Sequence, residues 1–206
     1  GGHDPYSSSK ACSEFVTSSY RDSFFNPGKY TTHGVALASA RAGNVIGGGD
    51  WAMDRLIPDI IKAAIKKESI VIRNPESVRP WQHVLEPLSG YLMLAEKLYH
   101  KGTTFGEAWN FGPHEEDMKP VVWIARKISR QLGCRLVLQK TGTRKKLYEA
   151  SILRLDSTKA RMRLGWRPKW DIDKSVEQTM TWHREYRDGR NMKKVCIQQI
   201  EEYLND

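Results

Sequence analysis

The chain alternates between stretches whose apolar residues recur every three or four positions and short runs of β-branched residues. Arg55 to Lys67 places Leu56, Ile57, Ile60, Ile61, Ala64 and Ile65 on one stripe of a helix. Val84 to Tyr99, Val121 to Leu132, Asp173 to Arg187 and Lys193 to Leu204 predict further helices, with Gly133 placed to cap the second of these. Pro5 to Phe25 is another: Asp4 offers an N-cap, Pro5 suits the first helical position, and Asn26-Pro27-Gly28 stops it. Ser157 to Leu164 reads as a short helix ended by Gly165. Val35 to Val45, small and β-branched with no acid, predicts one buried strand running into Gly47-Gly48-Gly49. Ile70–Ile72, Ala108–Phe111 and Arg135–Gln139 predict short strands. The alternation indicates an α/β fold. So few strands do not make a self-contained doubly wound sheet, and no strand precedes the first helix. The sequence is therefore expected to start in the middle of a fold.

Composition narrows the class. The 206 residues are 39% hydrophobic and 28% charged, which excludes collagen-like, low-complexity and disordered chains. No apolar run reaches the roughly 18 residues of a membrane span. Leu56–Ile65 is broken by Asp59 and Lys62, and Val84–Leu98 by Glu86 and Glu96. Gly1-Gly2-His3-Asp4-Pro5 is no secretory leader, and without a Met it reads as a cut end. Cys12, Cys134 and Cys196 are far apart and odd in number, with no C-x-x-C. No metal site or disulfide framework is expected, and a reducing, cytoplasmic compartment fits. The net charge of +9 is local. Residues 126–163 hold twelve Lys and Arg against Glu149 and Asp156, a block of +10 on a remainder of −1. Such a block keeps a polyanion-binding module open as an alternative, although no nucleic-acid motif accompanies it.

Four segments carry candidate chemistry. Tyr6 and Lys10 are four apart and share a helix face. A phenol beside an ammonium serves as a general base, because the cation favours the phenolate. The plainer reading is an incidental pair on a surface helix. Arg41-Ala42-Gly43-Asn44-Val45-Ile46-Gly47 brings glycines to a strand end, either to admit a ligand or only to turn the chain. In Val78-Arg79-Pro80-Trp81-Gln82-His83-Val84, Arg79 suits a phosphate or stacks on Trp81. Trp109-Asn110-Phe111-Gly112 puts an amide at a strand end, for a ligand or for the fold.

In this order, and followed by Leu164-Gly165-Trp166-Arg167-Pro168, these segments resemble the extended short-chain dehydrogenase/reductases that act on nucleotide sugars. Gly-His-Asp-Pro-Tyr-Ser-Ser-Ser-Lys at 2–10, Asn-Val-Ile-Gly-Gly-Gly-Asp-Trp at 44–51, Arg-Pro-Trp-Gln-His-Val at 79–84 and Leu155-Asp156-Ser157-Thr158-Lys159-Ala160 are most similar to the members that dehydrate CDP-glucose. The tail from Trp182 through Gly189 to Gln199, Ile200 and Tyr203 is similar too. The family's opening G-x-x-G-x-x-G turn is not in the sequence. The resemblance therefore implies the C-terminal part of an extended Rossmann fold, its doubly wound parallel sheet truncated, plus a smaller mixed α/β domain for the nucleotide sugar. Residues 1–46 and 77–113 would belong to the NAD-binding part, and 47–76 and 114–206 to the substrate part.

The activity implied is NAD-dependent conversion of CDP-glucose to CDP-4-keto-6-deoxyglucose, with the 206 residues inactive alone and a homodimer in the full-length enzyme. Tyr6 and Lys10 would be catalytic and, with Ala42, Gly43 and Asn44, line the NAD site. Asn44, Arg55, Leu56, Ile57, Pro58, Ile72, Arg79, Asn110, Tyr148 and Glu149 would contact the substrate. Ser13, Val16 and Tyr20 would lie on the dimer surface or pack in a core. No nucleic acid, membrane or metal is implied. Another nucleotide-sugar dehydratase or epimerase, and a non-catalytic binding remnant, stand as alternatives.

Overall fold

The computed structural model describes residues 4–139 and 150–206. In chain order the helices are α1 (Pro5–Ser23), α2 (Tyr30–His33), α3 (Leu56–Lys66), α4 (Leu85–Lys101), α5 (Val121–Leu132), α6 (Ile172–Arg187) and α7 (Met192–Asn205). The strands are β1 (Ser39–Ala42), β2 (Asn44–Ile46), β3 (Ile70–Ile72), β4 (Val78–Arg79), β5 (Trp81–His83), β6 (Ala108–Phe111), β7 (Lys119–Pro120) and β8 (Leu136–Leu138). Three pairs are parallel, β1 with β6, β2 with β5 and β3 with β8, while β4 and β7 run antiparallel. The α/β class with parallel pairing agrees with the sequence.

The run expected as one strand, 35–45, is two. Ser39–Ala42 pairs with Ala108–Phe111, and Asn44–Ile46 pairs with Trp81–His83. The change of partner falls at Gly43, where a Cβ would lie 2.5 Å from the Pro80 carbonyl oxygen. Of Ser157 to Leu164, expected as a short helix, the helical residues begin at Thr158 and run into a wide π turn at Ala160–Leu164, closed by Gly165 at φ +75°.

The chain forms two compact units. The first is Gly1–Ala42, Pro87–Phe111 and Asp156–Arg167; the second is Gly43–Glu86, Gly112–Leu155 and Pro168–Asp206. These bounds differ from the sequence-based division: 43–46, 77–86 and 112–113 fall in the second unit, and 156–167 in the first.

In the first unit Leu94, Trp109, Phe111, Ala160, Leu164 and Trp166 form the core. Gly90 in α4 leaves room for the Phe111 ring, which a Cβ there would meet at 2.2 Å. Helix α1 buries none of its residues. It is fixed by polar contacts: Arg21 donates to the Gly106 carbonyl at 2.8 Å, and the Glu14 carboxylate accepts from Ser39 and Arg41 on β1 at 2.8 and 2.6 Å.

In the second unit α3, α5 and α6 turn their apolar stripes onto the sheet residues Ile46, Ile72 and Trp81. Ile60, Ile124, Ile128 and Val176 are fully enclosed. The ends of α6 and α7 are set by Asp171 and Asn191, each accepting from a main-chain N–H three residues on. A buried carboxylate, Glu86, accepts from the Lys169 and Trp170 amides and from the Tyr203 hydroxyl at 2.8 Å. Burial raises its pKa.

Candidate functional site

The first unit holds Tyr6, Lys10, Ala42 and Asn110. The start of α1 is made by Asp4, whose carboxylate accepts from the Ser7 amide at 2.9 Å, with Ser7 reciprocating in a capping box. That cap fixes the first turn and with it Tyr6, which is 72% exposed. One turn on, Lys10 Nζ lies 5.4 Å from the Tyr6 ring centroid. The ammonium and the phenol therefore occupy one face, as the spacing predicts.

Helix α1 is oriented on β1 by Glu14, whose carboxyl is held below its usual range chiefly by the Arg41 hydrogen bond. Sequence reasoning did not single out Glu14 or Ser39; the only signal is that Glu14 lies one further turn beyond Lys10. Arg41 also reaches the Asn110 amide oxygen at 3.4 Å, while the Asn110 amide nitrogen donates to the Asp156 carbonyl at 3.1 Å. Asn110 thus ties β6 to its neighbours at both ends of its amide.

The second unit holds Gly43, Asn44, Arg55, Leu56, Ile57, Pro58, Ile72 and Arg79. Asn44 opens β2, its amide donating to the Pro80 carbonyl at 2.9 Å. Arg55 stands just before α3, exposed, and donates to Asp50 at 3.1 Å. Asp50 also accepts from the Ala52 amide, which closes the loop ahead of Arg55. Ile57 and Ile72 lie in the apolar core, Pro58 is buried beside them, and Leu56 packs at its margin. Arg79 is 7% exposed and donates to the Val78 carbonyl at 2.8 Å. Trp81 is a core residue whose indole N–H donates to the Lys119 carbonyl at 3.0 Å. Tyr148 and Glu149 lie outside the described residues.

A hollow of ≈ 450 Å³ lined by Lys127, Gln131, Asp171, Asp173, Lys174 and Glu177 contains none of the expected site residues. The basic block is partly neutralised. Lys127 pairs with Asp173, Arg154 with Glu115, and Lys159 and Arg163 both with Glu107. It is also divided between the two units.

Comparison with known proteins decides the family. The sequence profile of the GDP-mannose 4,6 dehydratase family matches residues 1–179. The chain belongs to that family. Among curated relatives, the CDP-glucose 4,6-dehydratase of Salmonella typhimurium strain LT2 is 49% identical over 205 residues, covering 100% of this chain and 57% of the relative. The chain therefore spans little more than half the length of the curated relative it matches. Solved structures share the fold. A dTDP-glucose 4,6-dehydratase of Streptomyces venezuelae with NAD and TYD bound has a TM-score of 0.69 at 22% identity, over 93% of this chain and 54% of that one. The dTDP-glucose 4,6-dehydratase of Bacillus anthracis strain Ames in complex with NAD has a TM-score of 0.67 at 20% identity, over 95% of this chain and 56% of that one. Every residue assigned to the site from the sequence lies within the stretch that matches the GDP-mannose 4,6 dehydratase family. The later part of α6 and all of α7 lie beyond it. Among the described residues no helix is long and apolar enough to cross a membrane.

Proposed function

We propose that the chain is the Tyr/Lys and nucleotide-sugar-binding part of an NAD-dependent dehydratase that converts CDP-glucose to CDP-4-keto-6-deoxyglucose. The observation that carries this reading is the 49% identity to a CDP-glucose 4,6-dehydratase, which runs through both units. The juxtaposed Tyr6 and Lys10 support it from the geometry. The exposed phenol and ammonium are a donor set that suits the vicinal hydroxyls of a ribose, so the residues present fit a nicotinamide nucleotide. NAD, when bound, supplies the acceptor and then the donor of hydride.

Tyr6 removes the proton from the sugar 4-hydroxyl as that carbon is oxidised. Lys10 donates to the cofactor ribose. The resulting ketone acidifies the proton on carbon 5, so water leaves across carbons 5 and 6, and the alkene so formed would take back the hydride at carbon 6 and a proton at carbon 5. The acid and base for that elimination are assigned to the length of the relative that this chain does not span. Ala42, Gly43 and Asn44 form the strand exit beside the nicotinamide. Arg79, Arg55, Asn44 and Asn110 serve the diphosphate and sugar, since cations and amide donors suit phosphate oxygens. Leu56, Ile57, Pro58 and Ile72 flank the base and ribose, and Tyr148 and Glu149 close over the sugar.

The NAD role is assigned to 1–46 and 77–113, and the nucleotide-sugar role to 47–76 and 114–206. The full-length protein is read as a cytoplasmic homodimer serving deoxysugar and O-antigen synthesis. A second reading, a dehydratase or epimerase for another nucleotide sugar, is favoured by the breadth of the family match.

The experiment is turnover by the full-length protein on CDP-, UDP-, GDP-, and dTDP-linked sugars. Turnover of CDP-glucose alone is expected, and turnover of dTDP-glucose alone would overturn the choice of base. The 206 residues by themselves are expected to bind no NAD and to turn over nothing.

A further inference from the structure

The loop between β2 and α3, Gly47 to Arg55, carries Asp50 and Arg55 and is gripped on both sides of Asp50. On one side the backbone of Gly48 lies flat on the Trp182 indole: a Cβ at Gly48 would fall 2.0–2.5 Å from three ring atoms. Gly49 follows at φ +80°, with the far edge of the same indole 3.5 Å from its Cβ position. On the other side Trp51 meets His183 edge-on at 5.2 Å and Tyr186 at 5.6 Å between ring centroids.

Trp182 and His183 are neighbours on α6, Tyr186 lies one turn on, and Trp182 stacks on Tyr186 at 5.4 Å. Trp182 is itself tied to α7 by its indole N–H, which donates to Cys196 Sγ at 3.3 Å. The Trp51 carbonyl accepts from Lys62 at 2.6 Å, so the loop is held from α3 as well. Between the two grips, Asp50 accepts from Arg55 and leaves the guanidinium directed into solvent, its side chain 64% exposed.

Aromatic packing of this extent is a large expense for an ordinary surface loop. Gly48 and Gly49 leave no side chain to keep the backbone off the indole. From this we infer that Trp182 and Trp51 are positioning residues: they hold Asp50, and through it set the Arg55 guanidinium at the diphosphate of the nucleotide sugar. The inference rests on the substrate reading proposed above. Trp182, His183 and Tyr186 lie beyond the part of the chain that matches the family profile. The loop that they hold, Gly47 to Arg55, lies within it.

The test uses the full-length protein with CDP-glucose. Trp182→Ala and Arg55→Ala should each raise KM about tenfold with kcat little changed, the size expected for one charge-assisted contact. Trp182→Phe should recover most of that loss. The double variant should also lose about tenfold, because a residue acting through Arg55 adds nothing once Arg55 is gone. Gly48→Ala, which keeps every aromatic ring, should reproduce the KM effect if Trp182→Ala fails to fold. A roughly hundredfold loss in the double variant, or a fall in kcat and NAD content with KM unchanged, would overturn the inference. Hydrogen exchange of residues 47–55 gives an arm free of substrate. Faster exchange in Gly48→Ala supports the grip, and unchanged exchange overturns it. If the wild type turns over no CDP-glucose, the functional reading fails, and exchange alone decides whether the loop is held.

Discussion

Helix α1 of the first unit and helix α5 of the second solve the same problem in opposite ways. Helix α5 buries Val122, Ile124, Ala125, Ile128 and Ser129 and is held by the apolar area it removes from water. Helix α1 is longer, carries the Tyr6–Lys10 pair and buries nothing. Its large apolar residues Phe15, Val16 and Tyr20 all face solvent within these 206 residues. What fixes it is a capping box at one end, an arginine on a carbonyl at the other, and one carboxylate in the middle. The unit expected to bind the nucleotide sugar thus has a core of its own. The helix expected to do proton transfer depends on a few polar contacts.

Substitutions should expose that contrast, the largest effect first. Ile128→Ala removes a fully enclosed side chain and should cost about 2–5 kcal/mol in denaturant unfolding. Phe15→Ala, with Phe15 73% exposed, should stay within about 0.5 kcal/mol. An equal loss for Phe15→Ala would show that something covers α1 in solution.

Next is pH. Burial holds the His83 imidazole at about 4, against an ordinary 6.5. The unfolded chain takes up a proton below pH 6.5, and the folded one only near 4. Stability is therefore complete above pH 6.5 and falls as pH drops through this window, by about 3 kcal/mol in all. Glu86 works the other way, since its raised pKa adds stability as pH falls. Comparing denaturation of the wild type and His83→Gln at pH 7 and pH 4.5 cancels the Glu86 contribution. The wild type should lose more of its stability than the variant.

Gly43→Ala places a methyl against the Pro80 carbonyl, where backbone has little room to move. A cost of about 1–3 kcal/mol is expected in thermal unfolding. Asp4→Ala should cost less than the core, His83 and Gly43 changes, about 1 kcal/mol. It should appear as faster amide exchange confined to the first turn of α1, with the rest of the helix unchanged.

How much of this was legible in the sequence depended on the kind of signal. Val121–Leu132 was read to the residue because a strong apolar period ends at a glycine, here in the left-handed conformation at φ +67°. Ile70–Ile72 and Ala108–Phe111 were equally plain. Val35–Val45 misled because composition shows burial but not partnership. A strand that changes neighbour at Gly43 has the same residues as one that does not. Strands β4 and β7 have two residues each and carry no period at all.

At the site, the four-residue spacing of Tyr6 and Lys10 needed only a helix to become proximity. The anchors Glu14 and Ser39 act through a tertiary contact, which no local pattern encodes. Asn110 was left open between a ligand and the fold. Within the first unit, its amide is engaged on both sides.

The Glu86 carboxylate has a consequence for synthesis on the ribosome. Its partner hydroxyl on Tyr203 is 117 residues further along the chain. While the intervening chain emerges, the nascent protein carries an ionisable group destined for a dry interior, with its last donor still unmade. The second unit is thus expected to close late in translation. Stalling the ribosome before residue 203 should leave a species that a protease cuts readily near Glu86.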